Sequence, residues 1–591
     1  MYRFTLRTYC AALALHAFLL GRSNHHHRGG DGPSSSPVQQ GVAFGGGHYE
    51  EDVGDAITVM HDCCVELTGI ISGGGEGVLD LDIVSKTVAV EPFDFTTSDP
   101  ISAILPTFAD CSAELETPVS MRLLLSIDTA VFSVSNMFRP GSVALDIFGD
   151  KETSDARRRC QSDSSNSEGQ ELHDLHTRVA VLYTLVYGGL VGMPFCRELI
   201  EPLMDSSDLS LSLVFDGADP SVDTPWGLAK TYYDEINSWM TANDGWNADG
   251  SANREYNRVP FSDYAISDSE GNSWTPYIPR NSPWKLKKPK RWQPLIETDG
   301  QGYTFFQEHV TPNIGATVRY FGFESNEDEE AFAFRELDDP DYSYTSASIA
   351  VLEETRDTVG DDFKLGAIEF FDNKFASLIP LKILYFLREA DTLTALDFYR
   401  ATVEVQLAIY NGIVLVWKEK IRHDLPRPQT VIDYKLGDKK FETYAGPGEG
   451  LQWIKASEWE PFIRTMPHSE FPSGSACICQ VFAEQVAHFL GSDELDPPLD
   501  VELLVSLGPK EFRSWSEMSD TCANSRVWGG MHFAEAVPAG TKLCGGGLLA
   551  SSISSSIGAL IDGDESAAIF KKDVGEQMVR PLIPGSAKRD K

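Results

Sequence analysis

Long hydrophobic runs are nearly missing from this chain. Of its 591 residues 42% are hydrophobic, enough for a sizeable core. Yet beyond the N-terminal segment no stretch reaches about 18 uninterrupted apolar residues, roughly what a bilayer-spanning helix needs. On run length the sequence predicts no membrane span. Positive charge is scarce too. Lysine and arginine total 49 against 88 aspartates and glutamates, a formal net charge of −39. A field of that sign repels polyanions and excludes nucleic acid and anionic membrane as general partners. Cysteine is sparse, ten in all. Cys10 lies in the N-terminal apolar segment, so nine would remain after cleavage, and an odd number requires a free or intermolecular thiol. Cys477 and Cys479 stand two apart on a predicted helix, where they face different directions, so they are not read as a metal pair. Outside 78–145 almost nothing alternates like a strand.

What is present is mostly helical pattern. Arg3 and Arg7 precede the apolar run Tyr9–Leu20, the pattern of a secretory signal over residues 1–22, which implies a secreted protein. Residues 23–50 are rich in Gly, Ser, Pro and His and read as a disordered linker. Residues 51–150 form an N-terminal region of unassigned fold, and a polar stretch with Arg157, Arg158 and Arg159 follows. Residues 171–300 read as a helical region with a long loop, 244–295, that wraps a helical body or edges a pocket. The basic cluster Lys285–Arg291 in it reads as a solvated loop. Residues 301–575 read as a helical catalytic domain. Apolar spacing of three to four predicts helices over Tyr344–Thr358, Phe363–Phe375, Leu381–Ala390 and Leu393–Ile421. The fold class is mainly α: helical bundles joined by long irregular connections.

Three short stretches carry the chemistry. In Phe471-Pro472-Ser473-Gly474-Ser475 the proline ends the preceding segment, Ser473 is a helix N-cap, and Gly474 permits close backbone approach. A helix follows, so free N–H groups and the positive end of the dipole face the same point, a ready anion site. Upstream, Lys420 and Arg427 stand seven apart. Downstream, Arg526 and His532 stand six apart. Arginine supplies two-pronged donation, lysine a point charge, and histidine a nitrogen able to bond a central atom. The set suits a tetrahedral oxyanion. Trp417, one turn before Lys420, shares its helix face. Glu470 reads as a surface residue or an arginine partner, and His423 as a surface or supporting residue.

Lys-x6-Arg-Pro, Pro-Ser-Gly-His and Ser-Arg-x5-His form the signature of vanadium-dependent haloperoxidases and the type 2 phosphatidic-acid phosphatase superfamily. This chain resembles it in order and spacing at Lys420–Pro428, Pro472–Ser475 and Ser525–His532. Asp244–Ser251, Arg291–Leu295 and Val310-Thr311-Pro312 resemble the haloperoxidase branch. The resemblance covers roughly residues 180–570 and implies haloperoxidase-type helical bundles. It implies vanadate as cofactor, hydrogen peroxide, halide and a small organic acceptor as reaction partners, and a hypohalous-acid equivalent as product. By resemblance, His532 would be the axial vanadium ligand. Lys420, Arg427, Ser473, Gly474 and Arg526 would hold the oxyanion, and Lys420 would polarise peroxide. Trp417 and His468 would line the halide pocket.

Position 475 departs from the signature, with serine where the motif has histidine. Serine has no acid–base function near neutral pH. His468, five residues before Ser473, is the candidate substitute. Two alternatives stay open: a soluble acid phosphatase with His532 as nucleophile, and a non-catalytic oxyanion-binding relative. Halide preference, organic substrate, disulfide pairing and oligomeric state also stay open.

Overall fold

A computed structural model describes residues 117–137, 167–205, 225–243, 277–298, 342–372, 395–502 and 509–561. It also describes shorter pieces between 107 and 115, 266 and 274, and 304 and 321, and residues 374, 377 and 378. The N-terminal signal and linker, the arginine run at 157–159 and the helix expected over Leu381–Ala390 lie outside the described residues.

The elements are mainly helices. Thr117–Met137 (α1), Ser167–Gly192 (α2), Arg197–Asp205 (α3) and Pro225–Asn243 (α4) come first. Tyr344–Thr358 (α5), Asp362–Phe370 (α6), Ala395–His423 (α7) and Pro428–Leu436 (α8) follow. Gly474–Leu490 (α9), Trp515–Trp528 (α10), Ala536–Cys544 (α11) and Leu548–Ile561 (α12) complete the body. Helix α5 has the bounds the apolar spacing predicts, because Ser343 accepts from Ser346 N–H and caps it.

Helix α7 is the axis. It packs on α1, α9, α11 and α12, and its side chains are buried along most of its length. Its stripe residues Val403, Leu407 and Tyr410 lie in the main core with residues of α1, α2, α4, α9 and α12. Buried polar groups on a central helix need partners. Glu404 takes Arg400 (2.7 Å), Gln485 (3.0 Å) and Ser554 (2.6 Å), tying α7 to α9 and α12. Gln406 donates to Met121 O on α1.

Strands are more frequent than the sequence reading expects. Antiparallel pairs join Ile266–Ser267 (β1) to Ser273–Trp274 (β2) and Ile296–Thr298 (β3) to Thr304–Phe306 (β4). They also join Lys440–Tyr444 (β5) to Leu451–Lys455 (β6) and Glu494–Glu502 (β7) to Pro509–Ser514 (β8). The β5–β6 hairpin turns through Gly446 and Gly448, both at positive φ. It packs on α5 rather than joining a larger sheet, so its faces carry only a weak period-two pattern.

Among the described residues two helical stretches, Thr117–Ser135 and Ala536–Ile561, are long and apolar enough to cross a membrane by length and composition alone. The run-length reading counts only uninterrupted apolar residues and so passes over a helix whose polar residues are small or few. Protein buries 94% of the first window. The second is broken at Gly545–Gly547 into α11 and α12.

Three disulfides join described residues. Cys111–Cys196 links the start of the body to the 3-10 turn Pro194–Cys196 before α3, Cys477–Cys544 links α9 to α11, and Cys479–Cys522 links α9 to α10. The two cysteines of the Cys-x-Cys pair thus face different helices, as i and i+2 must.

Candidate oxyanion site

The site begins where α7 ends. Asp424 takes φ 51 and its N–H bonds Lys420 O at 2.8 Å, closing the helix. Pro426 and Pro428 then carry the chain back, so Lys420 and Arg427 sit on either side of one tight turn. Segment 277–298 is pinned over it. Trp292 N–H donates to Asp424 O, Arg291 to His423 O, and the Tyr277 hydroxyl to Asp424 Oδ1 at 2.9 Å. Asp424 Oδ2 is buried with no partner among the described residues. Burial pushes its carboxyl up to about 7, against the pull of the Tyr277 bond.

A pH dependence follows. The folded state holds the Asp424 proton more tightly than the unfolded chain, whose ordinary value is 3.8. Stability from this group is full below pH ~4 and is lost as pH rises towards ~7, on the order of 4 kcal/mol in all. Asp424→Asn keeps an oxygen for Tyr277 and tolerates the left-handed backbone. Thermal unfolding of this variant is expected to lose that slope between pH 4 and 7; an unchanged slope would contradict the assignment.

Lys420 is fully buried. Its Nζ donates to Ser469 O (3.0 Å), Glu470 O (2.9 Å) and Pro472 O (2.6 Å). All three ammonium protons are therefore committed to the turn before α9. Lys420 reaches the site as charge, and a direct bond to a ligand requires one carbonyl to be released. Ser473 caps α9, accepting from Ala476 N–H at 3.3 Å, and its own N–H bonds Ala536 O. The first-turn N–H groups of Gly474 and Ser475 have no intrahelical acceptor. A Cβ on Gly474 would lie 3.5 Å from both Lys420 Cε and the Trp417 ring, so the three residues line one space. Gly540 on α11 lets that helix approach: a Cβ there would clash with Ser473 O. Ser475 is half-buried in the first turn of α9.

Arg427 is the hub. Its Nε donates to His468 O (2.9 Å) and its Nη1 to Met531 O (3.0 Å). Nη1 also stands 3.3 Å from His532 Nε2, and Nη2 stands 3.0 Å from His468 Nδ1. Arginine only donates, so both of those histidine nitrogens carry lone pairs. For His468 this overrides the 3.3 Å approach of Nδ1 to Ser469 O, which is then no hydrogen bond. Its ring packs on Trp417, centroids 4.8 Å apart. His532 Nδ1 donates to Glu470 Oε1 at 2.9 Å. Glu470 is thus neither at the surface nor an arginine's ion-pair partner. It is buried behind His532.

Arg526, in the last turn of α10, stands 3.5 Å from Asp372 Oδ1 and from Phe371 O. Its Nε is buried with no partner among the described residues. Lys374 lies beside it, its Nζ donating to Phe371 O at 2.9 Å. His309 accepts the Ser469 N–H on Nε2 at 3.1 Å and donates from Nδ1 to Val310 O. Asp372, Lys374 and His309 escape a motif reading because they lie far from the signature in sequence. Only the Val310-Thr311-Pro312 stretch hints at His309. His423 is a supporting residue, 3.2 Å from Glu419 and edge-on to Phe471.

The electrostatics are one-sided. Lys374, Lys420, Arg427 and Arg526 all act on His532, against the buried carboxylate Glu470 beside Arg427 and Lys420 and the part-exposed Asp372 beside Arg526. Burial first, then Arg427, Lys420, Arg526 and Lys374, push His532 far below its usual range, so it is neutral. Burial, Arg427 and Lys420 do the same to His468. Burial and Arg427 lower Lys420, while Glu470 raises it. Burial raises Glu470 to about 7, with Arg427 and Lys420 pulling back. An acidic chain thus encloses a positive pocket with an orphaned guanidinium N–H, open helix N–H groups and a histidine lone pair. Those donors fit a tetrahedral oxyanion, vanadate included.

A family profile described as the VCPO second helical-bundle domain matches residues 400–553, which hold most of α7, the elements up to the start of α12, and the full signature. The chain takes the vanadium haloperoxidase fold, and residues 400–553 are similar in sequence to that family's second helical bundle. The similar solved structures include an apo-type bacterial vanadium-dependent chloroperoxidase, with 22% identity and a TM-score of 0.62, over 76% of this chain and 95% of that one. The holo-type bacterial chloroperoxidase matches with 23% identity and a TM-score of 0.60, over 76% and 93%. A bacterial vanadium-dependent iodoperoxidase matches with 16% identity and a TM-score of 0.52, over 80% and 97%. No curated protein matches the sequence. The mainly-α haloperoxidase architecture expected from the signature is the one present.

Proposed function

We propose that this chain is a secreted, vanadate-dependent haloperoxidase that uses hydrogen peroxide to oxidise halide to a hypohalous-acid equivalent, which passes to a small organic acceptor. The observation that carries this reading is the convergence of Arg427, Arg526, the α9 N-terminus and the His532 lone pair on one buried, positive pocket. Bound there, vanadate would supply a Lewis-acidic centre that activates peroxide without changing oxidation state.

The chain's own groups do the rest. Arg427, Arg526, Ser473 and the Gly474 N–H would hold the oxyanion's oxygens, and His532 Nε2 would bond its central atom. Lys420 adds charge from beneath the turn. Preorganised donors in a dry site stabilise anionic charge more strongly than water does. Trp417 and His468 form the apolar wall where halide would approach. His468, held by Arg427 through Nδ1, carries its proton on Nε2 and offers a donor there. A neutral donor is not a general base, so His468 does not replace the motif histidine as an acid–base group while Arg427 holds it.

Peroxide-dependent halogenation by the purified protein tests the reading, with iodide, bromide and chloride in turn. Turnover is expected to require orthovanadate and to fall when orthophosphate competes. Phosphomonoester hydrolysis without halide oxidation would replace this reading with the phosphatase one.

A further inference from the structure

The Glu470 carboxylate is out of place on simple electrostatics, since a negative charge beside an oxyanion site weakens it. Its geometry supplies a reason for its position. Oε1 lies 2.9 Å from His532 Nδ1 and also accepts the Phe533 N–H at 3.2 Å. On the far side of the ring, Arg427 Nη1 stands 3.3 Å from Nε2. An ionised carboxylate only accepts and a guanidinium only donates. An imidazole held between them has one tautomer, with its proton on Nδ1 and its lone pair on Nε2. Glu470 and His532 are both buried, so water offers no competing partners.

We propose that Glu470 is a positioning residue that locks His532 in this tautomer and orientation, and so lets the pocket prefer vanadate over phosphate. The inference rests on the oxyanion reading above. The two anions share shape and charge, so arginine and backbone donors treat them alike. They differ at the central atom: vanadium accepts a fifth bond from nitrogen, and phosphorus in orthophosphate does not. Discrimination between them therefore depends on the Nε2 lone pair. Partners that orient a metal-binding histidine typically change affinity 10- to 100-fold when removed.

The sign of the effect separates orientation from charge. Glu470→Ala removes both the acceptor and the negative charge. Glu470→Gln removes the charge and keeps an oxygen, which the Phe533 N–H and the His532 Nδ1–H would draw to their side. Charge alone predicts that both variants bind both anions more tightly. Orientation predicts that Glu470→Ala loses vanadate affinity about 10- to 100-fold while phosphate affinity holds or rises, and that Glu470→Gln stays within a few-fold of the unaltered protein.

The experiment is calorimetric titration of the vanadate-free protein with orthovanadate and, separately, orthophosphate, above pH 8. Nitrogen NMR of the His532 ring in the anion-free protein accompanies it. The expected spectrum has one protonated and one lone-pair nitrogen in the unaltered and Gln proteins, and a mixture in the Ala protein. Vanadate binding by Glu470→Ala as tight as in the unaltered protein overturns the proposal. Equal loss of both anions overturns it too, since Glu470 would then hold the turn rather than the ring. If the unaltered protein binds the two anions alike, the haloperoxidase reading fails, and the ring spectra still decide the Glu470 lock.

Discussion

Arg427→Ala is expected to abolish the rise in melting temperature that vanadate gives the unaltered protein. Arg427 donates to His468 O and Met531 O and meets His468 Nδ1 and His532 Nε2, so one side chain sets both histidines and supplies charge. Two opposing effects act on the ligand-free protein. Loss of those bonds destabilises it, while loss of a buried cation relieves repulsion with Arg526 and removes a desolvation cost. Its own melting temperature therefore decides little. Ligand binding has no such cancellation. Charge-assisted bonds to a buried anion contribute roughly 2–4 kcal/mol here, about 30- to 1000-fold in affinity. Arg427→Lys is expected to recover little, because one ammonium cannot reach four acceptors in different directions. Thermal unfolding with and without vanadate measures this. A ligand-induced shift of normal size in Arg427→Ala would contradict the hub assignment.

Reduction of the disulfides is expected to destabilise the same site from outside it. Cys477–Cys544 and Cys479–Cys522 tie α9, whose N-terminus forms the anion turn, to α11 and to α10, which carries Arg526. They span 67 and 43 residues. Loop-closure entropy assigns each about 4 kcal/mol. The smaller loop nests within the larger, so the pair contributes less than the sum. The remainder is still a large share of the roughly 5–15 kcal/mol that keeps a domain folded. A reductant is expected to lower the melting temperature by at least about 10 °C and to abolish oxyanion binding before α7 unfolds. Unfolding curves and phosphate titrations with and without dithiothreitol check both. Equal melting temperatures would mean that packing alone holds the three helices.

The parts of the site legible in the sequence are those built by local rules. Ser473 before Gly474 announces a capped helix, and α9 starts there. Lys420 and Arg427 at fixed spacing announce two cations on one turn, although Asp424 in a left-handed conformation is what makes the spacing work. The residues that escaped are brought in by long-range packing. Asp372 and Lys374 reach Arg526 from the end of α6, and His309 reaches Ser469 across the chain. The burial of Glu470 is not legible because a buried carboxylate and a solvated one look alike in sequence; the difference is made by His532, 62 residues away. The β5–β6 hairpin escaped because two short strands without a larger sheet leave too little alternation to stand out.

The proposed function requires that one pocket bind vanadate through His532. The direct measurement is vanadium content after incubation with orthovanadate and gel filtration, for the unaltered protein and for His532→Ala. About one vanadium per chain is expected in the unaltered protein and none retained by His532→Ala, with orthophosphate affinity largely kept. Equal vanadium retention by the two proteins would contradict it.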